Sequence, residues 1–234
     1  MKSVERVRLC GVGSTRTSAP LPAPINEADR LTVFASLEGC DRLLQMHKQQ
    51  WSELWKSDIE IEGDAQSQQD IRSMIYHLYS FVRQGSALSI SPMGLSGLGY
   101  NGHIFWDADT WMFPALLMLQ PKLAESLIDY RYNRLETAKK NAFEHGYQGA
   151  MYPWESSDSG FEETPVWALA GTFEHHISGC VALAAWNYYR VTQDPKWLAE
   201  KGFPILEATA NFWLSRGEYE ADGKAHIKNV VAAD

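Results

Sequence analysis

The sequence contains no block of lysine or arginine and no long apolar run, and each absence excludes a class of protein. The 234 residues carry a formal net charge of −8, and a chain without clustered cations binds the phosphate backbone of a nucleic acid poorly. No run of about eighteen apolar residues is present, and the amino-terminal residues lack the apolar segment of a signal peptide. We therefore predict a cytoplasmic protein that binds neither nucleic acid nor membrane.

Cysteine is also scarce, because Cys10, Cys40 and Cys180 are the only three thiols of the chain. An odd number of cysteines at irregular spacing supports neither a disulfide framework nor a zinc knot. We expect all three to be reduced, structural thiols.

Strand patterns are rare, whereas helical periodicity covers most of the chain. Residues 6–13 read as one short strand before a proline-rich segment, and almost no alternating pattern follows residue 62. Apolar residues at three-and-four spacing predict helices over these ranges: 26–55, 65–82, 109–119, 122–145, 175–192 and 203–216. The absence of a close internal repeat disfavours a solenoid. The pattern predicts an all-α domain whose interhelical loops converge at one end.

Two loops between predicted helices combine tryptophan with an acid. The first reads GYNGHIFWDADTW and contains Trp106 and Asp107, and the second reads YPWESSDSG and contains Trp154 and Glu155. A tryptophan most often fills a core. A carbohydrate site uses the same residue types differently, because a sugar ring offers an apolar face for stacking and hydroxyl groups for carboxylates. Long irregular loops in compact proteins are usually functional, so both interpretations stay open for each tryptophan.

The first loop contains further polar residues whose roles the pattern does not decide. His103 is either a hydrogen-bonding residue of a site or a buried core histidine. An extended backbone would put Asp107 and Asp109 on one side, whereas a helix that starts at Asp109 would make it the N-cap. We interpret Asp109 as partly structural and Asp107 as the residue that faces a sugar. These three residues are metal-ligand types, but their spacing matches no helical zinc motif, so we predict no metal site.

The second loop and the helix after it add two pairs of candidates. Glu162 and Glu163 are interpreted as part of a solvated, charged face. His175 and His176 lie at a predicted helix start, where neighbouring side chains point about 100 degrees apart. At most one of these two histidines therefore faces a site.

The two loops and the segment between them resemble one known family. In order along the chain, GLSGLGYNGHIFWDADTWMFP, YRYNRL and GYQGAMYPWESSDSGFEETP are similar to the central catalytic domain of glycoside hydrolase family 65. That family includes phosphorylases of maltose, trehalose or kojibiose, acid trehalases, and glucosidases of glucosylgalactosyl-hydroxylysine. The fold class that this resemblance implies is all-α, with an incomplete (α/α)6 barrel.

The resemblance also divides the chain into three parts. Residues 1–24 resemble a remnant of the family's amino-terminal β-sandwich, and residues 25–64 resemble the helical linker that follows it. Residues 65–234 resemble the first part of the (α/α)6 catalytic barrel, truncated before the general acid.

The resemblance implies an inverting reaction on an α-glucoside. In such a reaction a carboxylic acid protonates the leaving oxygen while water or phosphate attacks the opposite face of the sugar. By position, Trp106 and Asp107 would hold the glucose whose bond is broken, with Asp107 as the essential carboxylate, and Trp154 and Glu155 would help to define its pocket. The same motif gives support roles in substrate binding to two neighbours, His103 and Asp109.

The general acid of the family is a glutamate in an Asp-Glu-aromatic motif, and the sequence stops at Asp234, where this motif would begin. We therefore expect a catalytically inactive fragment of a larger enzyme, without its acid or its base. An open half barrel is also expected to expose an apolar strip and to self-associate. The residues expected along that strip are Trp186, Tyr189, Phe212 and Trp213.

The reaction of the full-length parent has two candidates. The forms of GLS, FWDADTWMFP and GYQGA are closer to the hydroxylysine-glucoside branch, which favours hydrolysis. A disaccharide phosphorylase stays open, with inorganic phosphate as co-substrate and glucose 1-phosphate as product. No cofactor is expected, the predicted partner is an α-glucoside or disaccharide, and the parent is expected to be a homodimer. Two alternatives of another class are a non-catalytic carbohydrate-binding helical module and a helical scaffold whose tryptophans lie in the core.

Overall fold

A computed structural model describes residues 23–95, 97 and 99–233 of the chain. The described residues are predominantly helical, and their strands are limited to one short hairpin. The all-α class predicted from the sequence is therefore confirmed. The strand predicted at 6–13, and nearly all of the sandwich remnant predicted at 1–24, lie outside the described residues.

The chain forms two compact units, and the boundary between them falls after Asp58. In the first unit, helix α1 (Pro24–Leu54) is interrupted at Gly39, which has φ 76° and ψ 163°. This backbone conformation lies in the left-handed half of the map, which glycine enters without a steric cost. The sequence predicts one continuous helix over 26–55, because the apolar periodicity passes across the interruption.

The second unit contains the remaining helices. They are α2 (Ala65–Phe81), α3 (Phe113–Leu119), α4 (Pro121–Tyr132), α5 (Leu135–Glu144), α6 (Ala170–Phe173), α7 (Ile177–Thr192), α8 (Pro195–Trp197) and α9 (Phe203–Arg216). Two single-turn π-helices, Ala108–Met112 and Leu198–Gly202, lead directly into α3 and α9, and a 3₁₀ turn covers Gly99–Gly102. Strands β1 (Glu218–Tyr219) and β2 (Ala225–His226) pair in antiparallel orientation.

The π-helix before α3 has a cause in the sequence. Pro114 is the second residue of α3, and a proline nitrogen cannot donate to the carbonyl four residues earlier. The preceding amide, that of Phe113, donates instead to the carbonyl of Ala108, five residues back, which widens the turn. The second π-helix precedes the same Phe-Pro dipeptide at the start of α9. The sequence predicts an ordinary helix over 109–119, because periodicity alone does not register the extra residue.

The single helix predicted over 122–145 is wrong, because α4 and α5 are separate helices. The amide of Arg134 donates to the carbonyl of Arg131 at 3.1 Å, which tightens the last turn of α4. The guanidinium of Arg134 donates to the carbonyl of Tyr130 at 3.1 Å, in the place that a continuing helix would give to a backbone amide. The side chain therefore helps to end the helix that its own helical propensity would extend.

Helix α7 lies at the centre of the second unit and packs against α3, α4 and α9. Its inner face combines the small side chains of Ala184 and Ala185 with the larger Ile177, all of them buried, so neighbouring helices approach closely. On α9, Phe212 is fully buried and packs with Ala142 and Met151. The expected exposed strip is therefore wrong for Phe212, whose ring lies inside the core.

Other residues of the expected strip lie nearer the surface. Trp186 is 43 % exposed, whereas Tyr189 and Trp213 are half-buried. Among the described residues, no helix combines the length and the hydropathy needed to cross a bilayer. Cys40 and Cys180 are free thiols, and Cys40 is exposed rather than structural. Burial raises the pKa of the Cys180 thiol, and Cys10 lies outside the described residues.

Candidate functional site

The two aromatic-acid loops lie side by side in the second unit. We call residues 82–107 the first loop and residues 145–169 the second loop. The backbones of Ile104 and Ser156 exchange two hydrogen bonds in antiparallel orientation, with N to O distances of 2.8 and 2.9 Å. Each of these residues is two positions from a tryptophan of its own loop, so the bridge joins the two tryptophan-acid pairs in one site.

Aromatic rings from both loops meet around His176, at the start of α7. The imidazole centroid lies 4.6 Å from the Trp106 ring, with the two planes at 90°, and 6.0 Å from the Trp154 ring, with the planes at 61°. These edge-to-face arrangements match the electrostatic preference of aromatic pairs. Trp106 and Trp154 are each half-buried, so part of each ring is accessible to a ligand.

Two further aromatic side chains extend this group. Phe105 is buried and contacts the Trp154 ring with centroids 5.7 Å apart. Trp111 contacts the Trp106 ring with centroids 5.5 Å apart, and Trp111 is 64 % exposed. Trp106 and Trp154 therefore belong to one aromatic cluster that extends from the buried Phe105 to the exposed Trp111.

Asp107 lies between a half-buried and a buried stretch of the first loop. Trp106 and Asp107 are half-buried, whereas the next two residues, Ala108 and Asp109, are buried. Asp107 immediately precedes the π-helix Ala108–Met112, and single π turns occur frequently at functional sites. The first loop therefore presents one tryptophan-acid pair and anchors itself through the residues that follow.

Asp109 forms a buried ion pair with Arg131 of α4. Its Oδ2 lies 2.6 Å from Nη2 of Arg131 and its Oδ1 lies 3.2 Å from Nε, and neither side chain is more than 4 % exposed. Arg131 Nη2 also donates to the carbonyl of Phe105 at 3.3 Å. Asp109 lies inside the π-helix and is not an N-cap, whereas its buried ion pair agrees with the partly structural role predicted for it. Asp109 therefore acts on the loop backbone through Arg131, behind the accessible tryptophan face.

His103 and Glu155 connect the two loops a second time. His103 Nδ1 lies 2.7 Å from Oε1 of Glu155, and the side chains are 23 % and 10 % exposed, respectively. This contact agrees with both roles left open for His103, a hydrogen-bonding residue of a site and a buried histidine with its bonds satisfied. Glu155, one residue after Trp154, is mostly buried, which makes it less accessible than Asp107 in the first loop.

Glu162 organises the second loop from within. Its carboxylate accepts hydrogen bonds from the backbone amides of Trp154 at 2.7 Å and Glu155 at 3.1 Å, and from the amide and hydroxyl of Thr164 at 3.0 and 2.6 Å. The predicted solvated face is therefore wrong for Glu162, although Glu163 is exposed. A backbone amide that is shielded from water needs an acceptor within the protein. The need for such an acceptor in this loop, rather than the charge pattern, is the signal that could have identified Glu162.

Three helices of the second unit hold the start of the second loop. The amides of Ala150, Met151 and Tyr152 donate in turn to the Ala208 carbonyl of α9, to α5 and to a hydroxyl of α7, at 2.8 to 3.0 Å. Just before them, Gly149 has φ +73°, and a Cβ atom there would lie 2.2 Å from the Ala208 carbonyl oxygen. Only glycine permits this approach of the loop to α9.

The two adjacent histidines before α7 face different surroundings, as their spacing predicts. His175 is buried and bonded on both sides: Nε2 lies 2.9 Å from the Thr172 carbonyl, and Nδ1 accepts from Arg216 Nε at 3.1 Å. Burial lowers the pKa of His175, and the Arg216 charge lowers it further. His176 contacts the tryptophans, and its Nδ1 lies 3.3 Å from Oε1 of the buried Glu174. Sequence reasoning assigned neither Glu174 nor His176 to the site.

The family assignment follows from comparison with known proteins. Residues 72–234 match the profile of the glycosyl hydrolase family 65 central catalytic domain, a range that includes both aromatic-acid loops. The kojibiose hydrolases of Mucilaginibacter mallensis and Flavobacterium johnsoniae are 65% and 62% identical to the chain over 223 residues, covering 95% of the chain and 33% of each relative. The protein-glucosylgalactosylhydroxylysine glucosidase of Dictyostelium discoideum is 40% identical over 195 residues, covering 82% of the chain and 27% of that relative.

A solved structure agrees with this assignment. A protein from the human microbiome, assigned as a kojibiose phosphorylase, superposes with a TM-score of 0.82 at 29% sequence identity, over 90% of this chain and 30% of that one. The chain thus spans about a third of the length of the curated relatives it matches. The fold is the first part of an (α/α)6 barrel, as the resemblance implied. The match of its sequence to the family profile and to these relatives shows that the chain belongs to glycosyl hydrolase family 65.

Proposed function

We propose that this chain supplies the glucose-holding side of an inverting enzyme that hydrolyses an α-glucosidic bond in a disaccharide or a glucosylated substrate. The observation that carries the proposal is the convergence of Trp106 and Trp154 from two loops around one histidine, with an acid directly after each tryptophan. An accessible indole face stacks on the C–H face of a pyranose ring. A carboxylate beside it accepts hydrogen bonds from sugar hydroxyl groups, and such charge-assisted bonds are the stronger kind.

Three other acids near the two tryptophans bond to groups of the protein itself. The carboxylates of Asp109, Glu155 and Glu162 bond to Arg131, to His103 and to loop amides, respectively. These contacts suit groups that hold the loops, whereas inversion requires one carboxyl group to donate a proton and another to activate water. In this proposal Asp107 grips the glucose hydroxyl groups, and the chain alone does not complete the reaction.

Hydrolysis is favoured over phosphorolysis by the degree of similarity. The kojibiose phosphorylase of Thermoanaerobacter brockii is 42% identical over 217 residues, well below the 65% of the kojibiose hydrolase of Mucilaginibacter mallensis. The proposed substrate is therefore kojibiose or a related α-glucoside, and no cofactor takes part. In the alternative reaction inorganic phosphate attacks the glucose in place of water. A cytoplasmic location and a homodimeric parent stay predictions from the sequence.

The decisive experiment replaces Asp107 with asparagine and measures kojibiose binding by isothermal titration calorimetry. The variant keeps the side-chain shape but loses the charge-assisted hydrogen bonds to the sugar, so we expect affinity to fall about tenfold to a hundredfold. The matched control is Asp158→Asn, an exposed acid of the second loop, which should bind like the unmodified chain.

Two results would contradict the proposal in different ways. Unchanged kojibiose affinity in Asp107→Asn would remove Asp107 from the sugar grip. Release of glucose, or of glucose 1-phosphate with phosphate present, by the purified unmodified chain would show that it completes the reaction by itself. If this chain binds kojibiose and the full-length parent does not cleave an α-glucoside, a non-catalytic carbohydrate-binding module would be favoured.

A further inference from the structure

His176 is the one side chain that contacts the tryptophans of both loops among the described ring contacts. We propose that His176 is a positioning residue that fixes the angle between the Trp106 and Trp154 faces, so that the two indoles accept a single sugar ring. This inference rests on the proposed function for its ligand. Its geometric part concerns the two tryptophans alone and can be tested without sugar.

The ring geometry indicates that the His176 imidazole packs against both the Trp106 ring and the Trp154 ring. The imidazole is perpendicular to the Trp106 ring, with an interplanar angle of 90° and a centroid distance of 4.6 Å, and is inclined at 61° to the Trp154 ring. A ring packed edge-to-face against two others limits how each of them can tilt. An exposed tryptophan without such a neighbour would occupy several rotamers, and a ligand would have to select one of them at a cost in affinity.

Neighbouring groups hold the His176 imidazole in place. Glu174 is 3 % exposed, and its Oε1 lies 3.3 Å from Nδ1 of His176, which favours one orientation of the imidazole. The backbone on either side is also fixed, because the amide of Glu174 donates to the carbonyl of Ala170 at 2.9 Å and the His176 carbonyl accepts from Cys180 in α7 at 3.0 Å. His176 therefore sits on a rigid helix start rather than on a mobile loop.

The position of His176 also couples the two loops to the barrel core. Its neighbour His175 is bonded to Arg216 of α9 on the opposite side of the chain. His176 is the N-cap of α7, and α7 packs against α3, α4 and α9. The imidazole is therefore attached to a well-packed helix. In this proposal the two loops supply the indole faces that bind the sugar, and His176 at the start of α7 fixes the orientation of those faces.

The test measures the tryptophan indole N–H resonances of the full chain, labelled with ¹⁵N-tryptophan. Trp106→Phe and Trp154→Phe assign the two resonances of interest among those of the nine tryptophans. In His176→Ala, without sugar, we expect both resonances to move while the melting temperature stays close to that of the unmodified chain. Kojibiose affinity should fall about tenfold, which is the scale of a lost aromatic contact that orients a binding face.

Two more variants separate positioning from a general structural effect. His176→Phe keeps a flat ring and loses the Nδ1 contact to Glu174, so it should recover most of the affinity lost in His176→Ala. Glu174→Gln keeps the volume of the anchor and should move the Trp106 resonance by a smaller amount. His145→Ala, which removes a histidine exposed at the end of α5, is the matched control and should leave both resonances in place.

The outcomes decide the inference. Unmoved Trp106 and Trp154 resonances in His176→Ala, or kojibiose affinity within about twofold of the unmodified chain, would overturn it. Should His176→Ala not fold, Glu174→Gln replaces it, and an unmoved Trp106 resonance in that variant would overturn the inference. An unmodified chain that binds no kojibiose would refute the proposed function, and the sugar-free resonances would then decide the positioning role by themselves.

Discussion

The two loops of the site present the same pair of residue types but are anchored in opposite ways. The first loop is anchored to α4 by one buried ion pair, in which Arg131 holds both Asp109 and the Phe105 carbonyl. The second loop depends on many separate hydrogen bonds, in which Glu162 and three helices hold successive amides. A tryptophan-acid pair can thus be anchored by one buried ion pair or by several separate hydrogen bonds. We expect substitutions in the two loops to change stability by different amounts.

The largest effect is expected at the buried ion pair between Asp109 and Arg131. Arg131→Met leaves the buried Asp109 carboxylate without its cation, and removing one partner of a buried pair costs about 3 to 5 kcal/mol of unfolding free energy. Urea unfolding at neutral pH measures the change. The matched control, Lys139→Met, removes an exposed cation that is paired with Glu136, and it should cost less than about 1 kcal/mol.

The double variant Asp109→Leu with Arg131→Met sharpens this result. It removes both charges together, so its loss of stability should be smaller than that of Arg131→Met alone. A single variant no less stable than the Lys139→Met control would show that the ion pair does not anchor the first loop.

A second prediction concerns the point where the second loop touches α9. Gly149→Ala places a Cβ atom 2.2 Å from the Ala208 carbonyl oxygen and 2.3 Å from the Phe212 nitrogen, and neither backbone atom can move alone. We expect a loss of about 3 kcal/mol in unfolding free energy.

Gly146→Ala is the control for this substitution. Gly146 has φ +81° with nothing within 4 Å of the added Cβ, so only the left-handed backbone is strained, at about 1 to 2 kcal/mol. Both variants are compared by thermal unfolding under identical conditions. Equal losses in the two would mean that the contact with α9 does not restrict the loop.

The smallest effect is expected from one of the distributed contacts. Glu162→Gln keeps the side-chain shape but loses the charge that strengthens its bonds to the Trp154 and Glu155 amides, at about 1 kcal/mol. Amide hydrogen exchange should increase at these two residues while the helices keep their protection. Glu163→Gln, with an exposed carboxylate, serves as the control, and similar exchange in both variants would contradict the assigned role of Glu162.

Sequence reasoning located the helices well where one apolar face continues without interruption. The predicted range 203–216 coincides with α9, and the predicted range 65–82 differs from α2 by one residue. Periodicity failed where a side chain or a proline intervenes: at Arg134, which ends α4, and before Pro114, where the turn widens. In both places a polar or covalent constraint overrides the apolar pattern.

The site was predictable only in part, for a similar reason. Residue type and the family resemblance predict Trp106, Asp107, Trp154 and Glu155 as site residues, and the structure brings the two pairs close together. The bridge between the loops and the role of His176 depend on contacts between residues far apart in the chain, and local patterns contain no information on such pairing.

The π-helix before α3 has a consequence for how the site is aimed. An added residue within a helix rotates everything before it by about 100 degrees relative to everything after it. The wide turn, imposed by the missing N–H of Pro114, therefore sets the angular phase between α3, which is packed in the core, and the Trp106-Asp107 pair. A single-residue deletion within Ala108–Met112 would rotate the pair by about one quarter of a revolution and point it away from α7, although no residue of the proposed sugar-binding group would have changed.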